Sequence, residues 1–171
     1  VLGMVVSGVV GLFEGIMAQL TIIVSFQSLI LDMAGNVGTQ SLAVTIRVLM
    51  DETLTGRQKL ELVCKEGRIG LLNGLILGAA SCGVVGLYIM LFKAKTAAFA
   101  FGISGCIGVA LLFAMAVSSI VGTCVPLLFK KLGVDPAVAS GPLITTINDL
   151  VAVVVYYGLA AVVLIDMFHL G

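Results

Sequence analysis

Five apolar segments joined by short charged connections dominate this chain and dictate its fold class. They run over roughly 1–13, 18–50, 58–92, 97–131 and 142–167. A helix needs about 20 apolar residues to cross the ~30 Å hydrocarbon core of a bilayer. A soluble domain of 171 residues has no use for so many runs of that length. The composition agrees: 60% of residues are hydrophobic and 11% charged, with a mean hydropathy of +1.24. The expectation is an all-α integral membrane domain with five transmembrane helices per subunit, filling residues 1–171 as one unit. The first segment is short and is read as clipped or as continuing upstream. The chain opens on Val1 inside an apolar run, without a basic leader, so it is expected to be a piece of a longer protein.

The connections are DETLTGRQK, KAKT and KKLGVDPAVASGP. In the last, Asp135-Pro136 suits the N-cap and first position of a short helical turn, and Gly141-Pro142 restarts the chain as the fifth helix. Loop charge sets orientation, because Lys and Arg concentrate on the cytoplasmic side. A cytoplasmic N-terminus puts Arg47, Arg57, Lys59, Lys65, Arg68, Lys130 and Lys131 inside, seven of the nine basic residues, and leaves Lys93 and Lys95 outside. The reverse arrangement inverts that ratio. The reading is a multi-pass protein of the cell membrane with its N-terminus inside and its C-terminus outside.

Formal net charge is zero, so a nucleic-acid partner has no electrostatic support. Cys64, Cys82, Cys106 and Cys124 are scattered, with no C-x-x-C spacing; they read as small packing residues. No H-E-x-x-H, G-x-S-x-G or P-loop is present, and the chain is not expected to be an enzyme.

Two aspartates lie inside apolar segments. A carboxylate at bilayer depth is costly without a partner and is a functional candidate by default. Asp32, Asn36 and Gln40 are spaced i, i+4, i+8 in the second segment, with Thr39 alongside, so they share a helix face. Gly141, Thr145 and Asp149 repeat that spacing in the fifth, with Asn148 beside them. At 1.5 Å per residue Asp149 lies roughly 12 Å into its helix and Asp32 roughly 21 Å from the outer end of its own, so both fall in the middle of the core. Gly35 and Gly38 are expected to break the second helix and free backbone carbonyls, which membranes tolerate where protein or a watery cavity covers them.

The donors on offer are hard oxygens: carboxylate, amide, hydroxyl and carbonyl. Hard oxygens suit Mg²⁺, Ca²⁺ or Mn²⁺. Two carboxylates are too few for a closed cage, and Mg²⁺ keeps several waters, so a site touching a hydrated ion fits best. Each residue has a plainer reading. Asp149 can hydrogen-bond a neighbouring helix, Asp32 can cap a half-helix, and Asn36, Thr39, Gln40 and Thr145 can tie helices together. Glu14 reads as an interfacial residue. Glu61, Lys65, Glu66 and Arg68 read as a solvated face with Glu61–Lys65 paired at i, i+4. Gly70, Gly74 and Gly78 form overlapping G-x-x-x-G units, and Gly11 with Gly15 another; these favour close helix packing within or between subunits.

Taken together, GLFEGIMAQL (11–20), AGNVGTQSLAVTIRVL (34–49), KLELVCKEGRIGLLNGL (59–75), KKLGVDPAVASGPLITTINDL (130–150) and the following VVVYYGLA make the chain resemble the transmembrane domain of the MgtE family of Mg²⁺ channels and transporters. The likeness spans nearly the whole chain in order and spacing. It implies a homodimer with its pore on the two-fold axis, lined by the second and fifth helices. It implies that Asp149 faces the hydrated ion and that the Gly35-Asn36 break sits against it. It also implies cytosolic regulatory domains upstream. Three positions depart from the pattern: Asp32 replaces a common glycine, and Gly141 and Thr39 replace asparagines. The expected metal-facing set is therefore Asp149, Asp32, Asn36, Gly35, Thr39 and Thr145, with Mg²⁺ as the transported ion. A Na⁺- or H⁺-coupled exchanger on the same scaffold and a non-transporting assembly module are the alternatives.

Overall fold

The computed structural model describes residues 2–14, 21–51, 54–138 and 141–168. They form five α-helices: α1 (Leu2–Gly11), α2 (Thr21–Asp51), α3 (Gly56–Phe92), α4 (Ala97–Lys131) and α5 (Gly141–Phe168), with a 3-10 turn at Pro136–Val138. Four of them, α2 to α5, are long and apolar enough to cross a membrane. The expected first span is only partly there. α1 has ten residues, ~15 Å of helix, and ends in a turn at Leu12–Phe13.

Local chemistry sets the helix ends. Thr55 and Gln58 form a capping box at the start of α3: Thr55 Oγ1 accepts from Gln58 N at 3.4 Å, and Thr55 N donates to Gln58 Oε1 at 2.8 Å. Thr96 caps α4 by accepting from Phe99 N. Gly133 closes α4 with φ +73°, a left-handed conformation that glycine adopts without penalty. Asp135 Oδ1 accepts from Ala137 N at 2.9 Å, so the Asp-Pro start of the short turn is as expected.

α4 is the centre of the bundle. It packs most extensively on α3 and also contacts α2 and α5, while α1 lies on α5. The α3–α4 contact is a glycine seam. A Cβ at Gly74 would lie 2.7 Å from Leu112 Cα, one at Gly78 2.5 Å from Gly108 O, and one at Gly70 2.6 Å from Ser119 Cβ. Gly70, Gly74 and Gly78 therefore serve packing within the chain. Gly15 lies outside the described residues.

α2 joins the bundle through a second seam. Gly122 of α4 sits so close to Gly38 O that a Cβ there would overlap it. Ser41 Oγ and Ser119 Oγ are 2.8 Å apart, and Ser119 Oγ donates to Glu66 O at 2.5 Å. One buried hydroxyl pair thus links α2, α4 and α3. Lys130 Nζ donates to Leu49 O near the end of α2, where a cation complements the helix dipole. At the other end, Tyr156 Oη donates to Ile23 O at 2.8 Å and Tyr157 Oη to Gln27 Oε1 at 2.6 Å.

The expected break in α2 is corrected. The helix runs without interruption through Gly35 and Gly38. Gly38 gives up its side chain to let α4 and α5 approach, and Thr39 Oγ1 donates back to the carbonyls of Gly35 and Asn36, at 2.9 and 3.0 Å. Close packing, not a free carbonyl, accounts for Gly38, whereas a Cβ at Gly35 would meet nothing within 4 Å. The Glu61 pairing is corrected too: Arg57 Nε donates to Glu61 Oε1 at 3.0 Å. Both Arg57 and Lys65 lie four residues from Glu61, and the guanidinium takes it. Among the cysteines, Cys106 is buried as expected, whereas Cys64 and Cys124 are exposed.

Candidate functional site

α2 and α5 lie side by side, and their polar faces meet. Ser28, Leu31, Asp32, Gly35, Asn36 and Thr39 from α2, with Thr145 and Asp149 from α5, line one groove of about 420 Å³. All six residues expected at a metal site are therefore brought together. The i, i+4 spacing explains how: successive steps of four residues keep Ser28, Asp32 and Asn36 on one face of α2, and Thr145 and Asp149 on one face of α5.

Within the groove Asn36 Nδ2 donates to Asp32 Oδ2 at 3.4 Å. Asp32, Asn36 and Thr145 are exposed, and Asp149, Thr39 and Gly35 are half-buried. Gly35 leaves the floor open, since a Cβ there would meet nothing within 4 Å. Among the described residues no lysine or arginine lines the groove. Its two carboxylates thus face a common space without a lining cation.

Ser28 was missing from the expected set. It lies four residues before Asp32, so the same periodicity, extended one step, would have found it. Gln40, on the expected stripe, does not line the groove. Asn148 turns away from it. It is fully buried against Gly38, and among the described residues neither its Nδ2 nor its Oδ1 has a hydrogen-bond partner. Glu14 is exposed just beyond α1 and is not part of the lining.

The arrangement suits a cation that keeps its water. Among the described residues no three His, Cys, Asp or Glu side chains gather as a metal cluster. A hydrated ion presents water protons outward, and these need acceptors. The groove offers carboxylate oxygens, an amide and hydroxyl lone pairs. The Thr39 hydroxyl commits its proton to α2 carbonyls, which leaves its oxygen as an acceptor.

Comparison with known proteins places this site in context. The model of the MgtE family, described as a divalent cation transporter, matches residues 27–159, a range that holds every groove residue. The magnesium transporter MgtE of Enterococcus faecalis is 36% identical over 160 residues, covering 94% of this chain and 33% of that protein. Those of Bacillus subtilis and Thermus thermophilus are each 31% identical, over 93% and 95% of this chain. The chain spans about a third of the length of these relatives. With four membrane-length helices and these likenesses, it is a multi-pass membrane protein that belongs to the MgtE family of divalent cation transporters.

Proposed function

We propose that this chain is the membrane domain of a Mg²⁺ channel, passing a largely hydrated ion along the α2–α5 groove. The observation that carries the reading is the meeting of Asp32 and Asp149, with amide and hydroxyl acceptors, in one groove that no basic residue lines. The curated relatives are magnesium transporters by name, which supports Mg²⁺ as the cargo. The groove is open along one side of a single chain. A second copy related by a two-fold axis would face it with an identical groove, close the pore and double the carboxylates. Asp149 attracts the ion, and Asp32, Asn36, Thr39 and Thr145 receive hydrogen bonds from its waters. Gly35 keeps the lumen wide.

The N-terminus is cytoplasmic on the balance of loop charge, and cytosolic regulatory domains precede this segment in the full-length protein. Mg²⁺ uptake into proteoliposomes tests the reading. A channel carries Mg²⁺ down its own gradient alone. Flux that needs an opposing Na⁺ or H⁺ gradient makes the protein an exchanger, and no flux under any gradient makes it an assembly module.

A further inference from the structure

α2 and α3 follow one another in the chain yet scarcely touch. At the end of the bundle that carries the α3–α4 connection they flank a cleft of about 340 Å³. Its walls are apolar and aromatic: Ile22 and Phe26 from α2, Val84 and Tyr88 from α3. Phe26 meets Tyr88 edge-on at 6.2 Å, and Tyr88 stacks on Phe92 at 5.3 Å. The Ser25 hydroxyl on this wall is turned back onto Thr21 O. One charge lines the cleft, that of Lys93, which caps α3 where its apolar run ends. Lys93 forms no ion pair among the described residues, while nearby Lys95 lies over the Phe99 ring, 5.7 Å from its centroid.

We infer that this cleft binds an anionic glycerophospholipid of the surrounding bilayer. Its phosphate meets the Lys93 ammonium at the interface, and one acyl chain lies along Phe26, Val84 and Tyr88. Charge complementarity selects this occupant: a lone cation at the rim of an apolar slot between membrane helices matches an anionic headgroup above hydrocarbon. Aromatic rings at this level suit the headgroup boundary. The inference requires only that α2 and α3 span the bilayer, so it stands or falls apart from the ion pathway.

The chain has no tryptophan, so Tyr88→Trp puts a single fluorescent reporter in the cleft. The variant is reconstituted in phosphatidylcholine vesicles containing rising fractions of brominated phosphatidylglycerol or brominated phosphatidylcholine. The expected preference for phosphatidylglycerol is about fivefold, the effect of one lysine near an anionic headgroup. It disappears in Tyr88→Trp with Lys93→Gln, and it is absent from Leu87→Trp, which sits at the same depth outside the cleft lining. Equal quenching by the two lipids in Tyr88→Trp overturns the inference, as does no quenching by either, which would mean that protein covers the cleft. Native mass spectrometry of the unsubstituted chain provides a second reading. Phosphatidylglycerol adducts that survive Lys93→Gln undiminished also overturn it.

Discussion

Gly38 of α2 lies directly against the amide of Asn148 of α5: a Cβ at Gly38 would overlap Asn148 Nδ2 and sit 2.8 Å from its Cγ. From the other side Gly122 of α4 presses on the Gly38 carbonyl. One residue without a side chain thus holds three helices together. Gly38→Ala should destabilise the fold by about 1–3 kcal/mol, the usual cost of an extra methyl in a packed site. Gly122→Ala should cost more, because it meets a backbone carbonyl that cannot rotate away. Gly35→Ala is the control on the same helix. It meets open space and replaces glycine with the best helix former, so its melting temperature in detergent should equal or exceed that of the parent. Melting of Gly122→Ala at the parental temperature would mean that α2 and α4 do not touch as described.

Asn148 makes an opposite prediction. Its amide is fully buried and unpaired at both ends, and a buried amide without partners costs roughly 1–3 kcal/mol. Asn148→Leu keeps the branched outline and the heavy-atom count of the side chain, with bulkier methyls in place of the amide, and removes that cost. Its melting temperature should be unchanged or higher, whereas Asn148→Ala should melt lower because it leaves a cavity. A marked loss of stability in Asn148→Leu would show that the amide is satisfied in solution, for instance by a trapped water.

What the sequence disclosed, and what it hid, follows the reach of the forces involved. Helix positions were readable because apolar length and terminal charge are local properties. The groove was readable because i, i+4 spacing fixes which side chains share a face, and Asp32 with Asn36 and Thr145 with Asp149 each obeyed it. The intact α2 was not readable. Gly35 and Gly38 are compatible with a broken helix or a close contact, and the decision lay with Gly122 and Asn148 on other helices. For the same reason the Gly70, Gly74 and Gly78 stripe named a face but not its partner. Glu61 had a cation four residues away on either side, so its choice of Arg57 was beyond local reasoning.

Asp149 carries the proposed pathway. Asp149→Asn keeps the shape of the side chain and removes its charge. If the carboxylate stabilises the passing ion by even ~1.4 kcal/mol, Mg²⁺ flux into proteoliposomes should fall about tenfold or more. The melting temperature should hold, because among the described residues no side chain hydrogen-bonds this carboxylate. Asp149→Glu should retain part of the flux. Parental flux in Asp149→Asn would remove Asp149 from the pathway.

Asp32 faces the same groove from α2 but is exposed, and its Oδ2 accepts from Asn36 Nδ2 at 3.4 Å. An exposed charge acts on the ion through solvent, so its effect should depend on salt in a way that a contact residue's does not. Asp32→Asn, which preserves the helix better than glycine, should lower flux several-fold at low ionic strength. The gap should narrow as salt rises, because the screening length contracts from about 30 Å at 0.01 M to about 8 Å at 0.15 M. The Asp149→Asn deficit should persist over that range, since a half-buried carboxylate is screened less. If Asp32→Asn transports like the parent at every salt concentration, Asp32 is a hydrogen-bond partner for Asn36 and no more. If its deficit ignores salt, Asp32 touches the ion's water shell as Asp149 does.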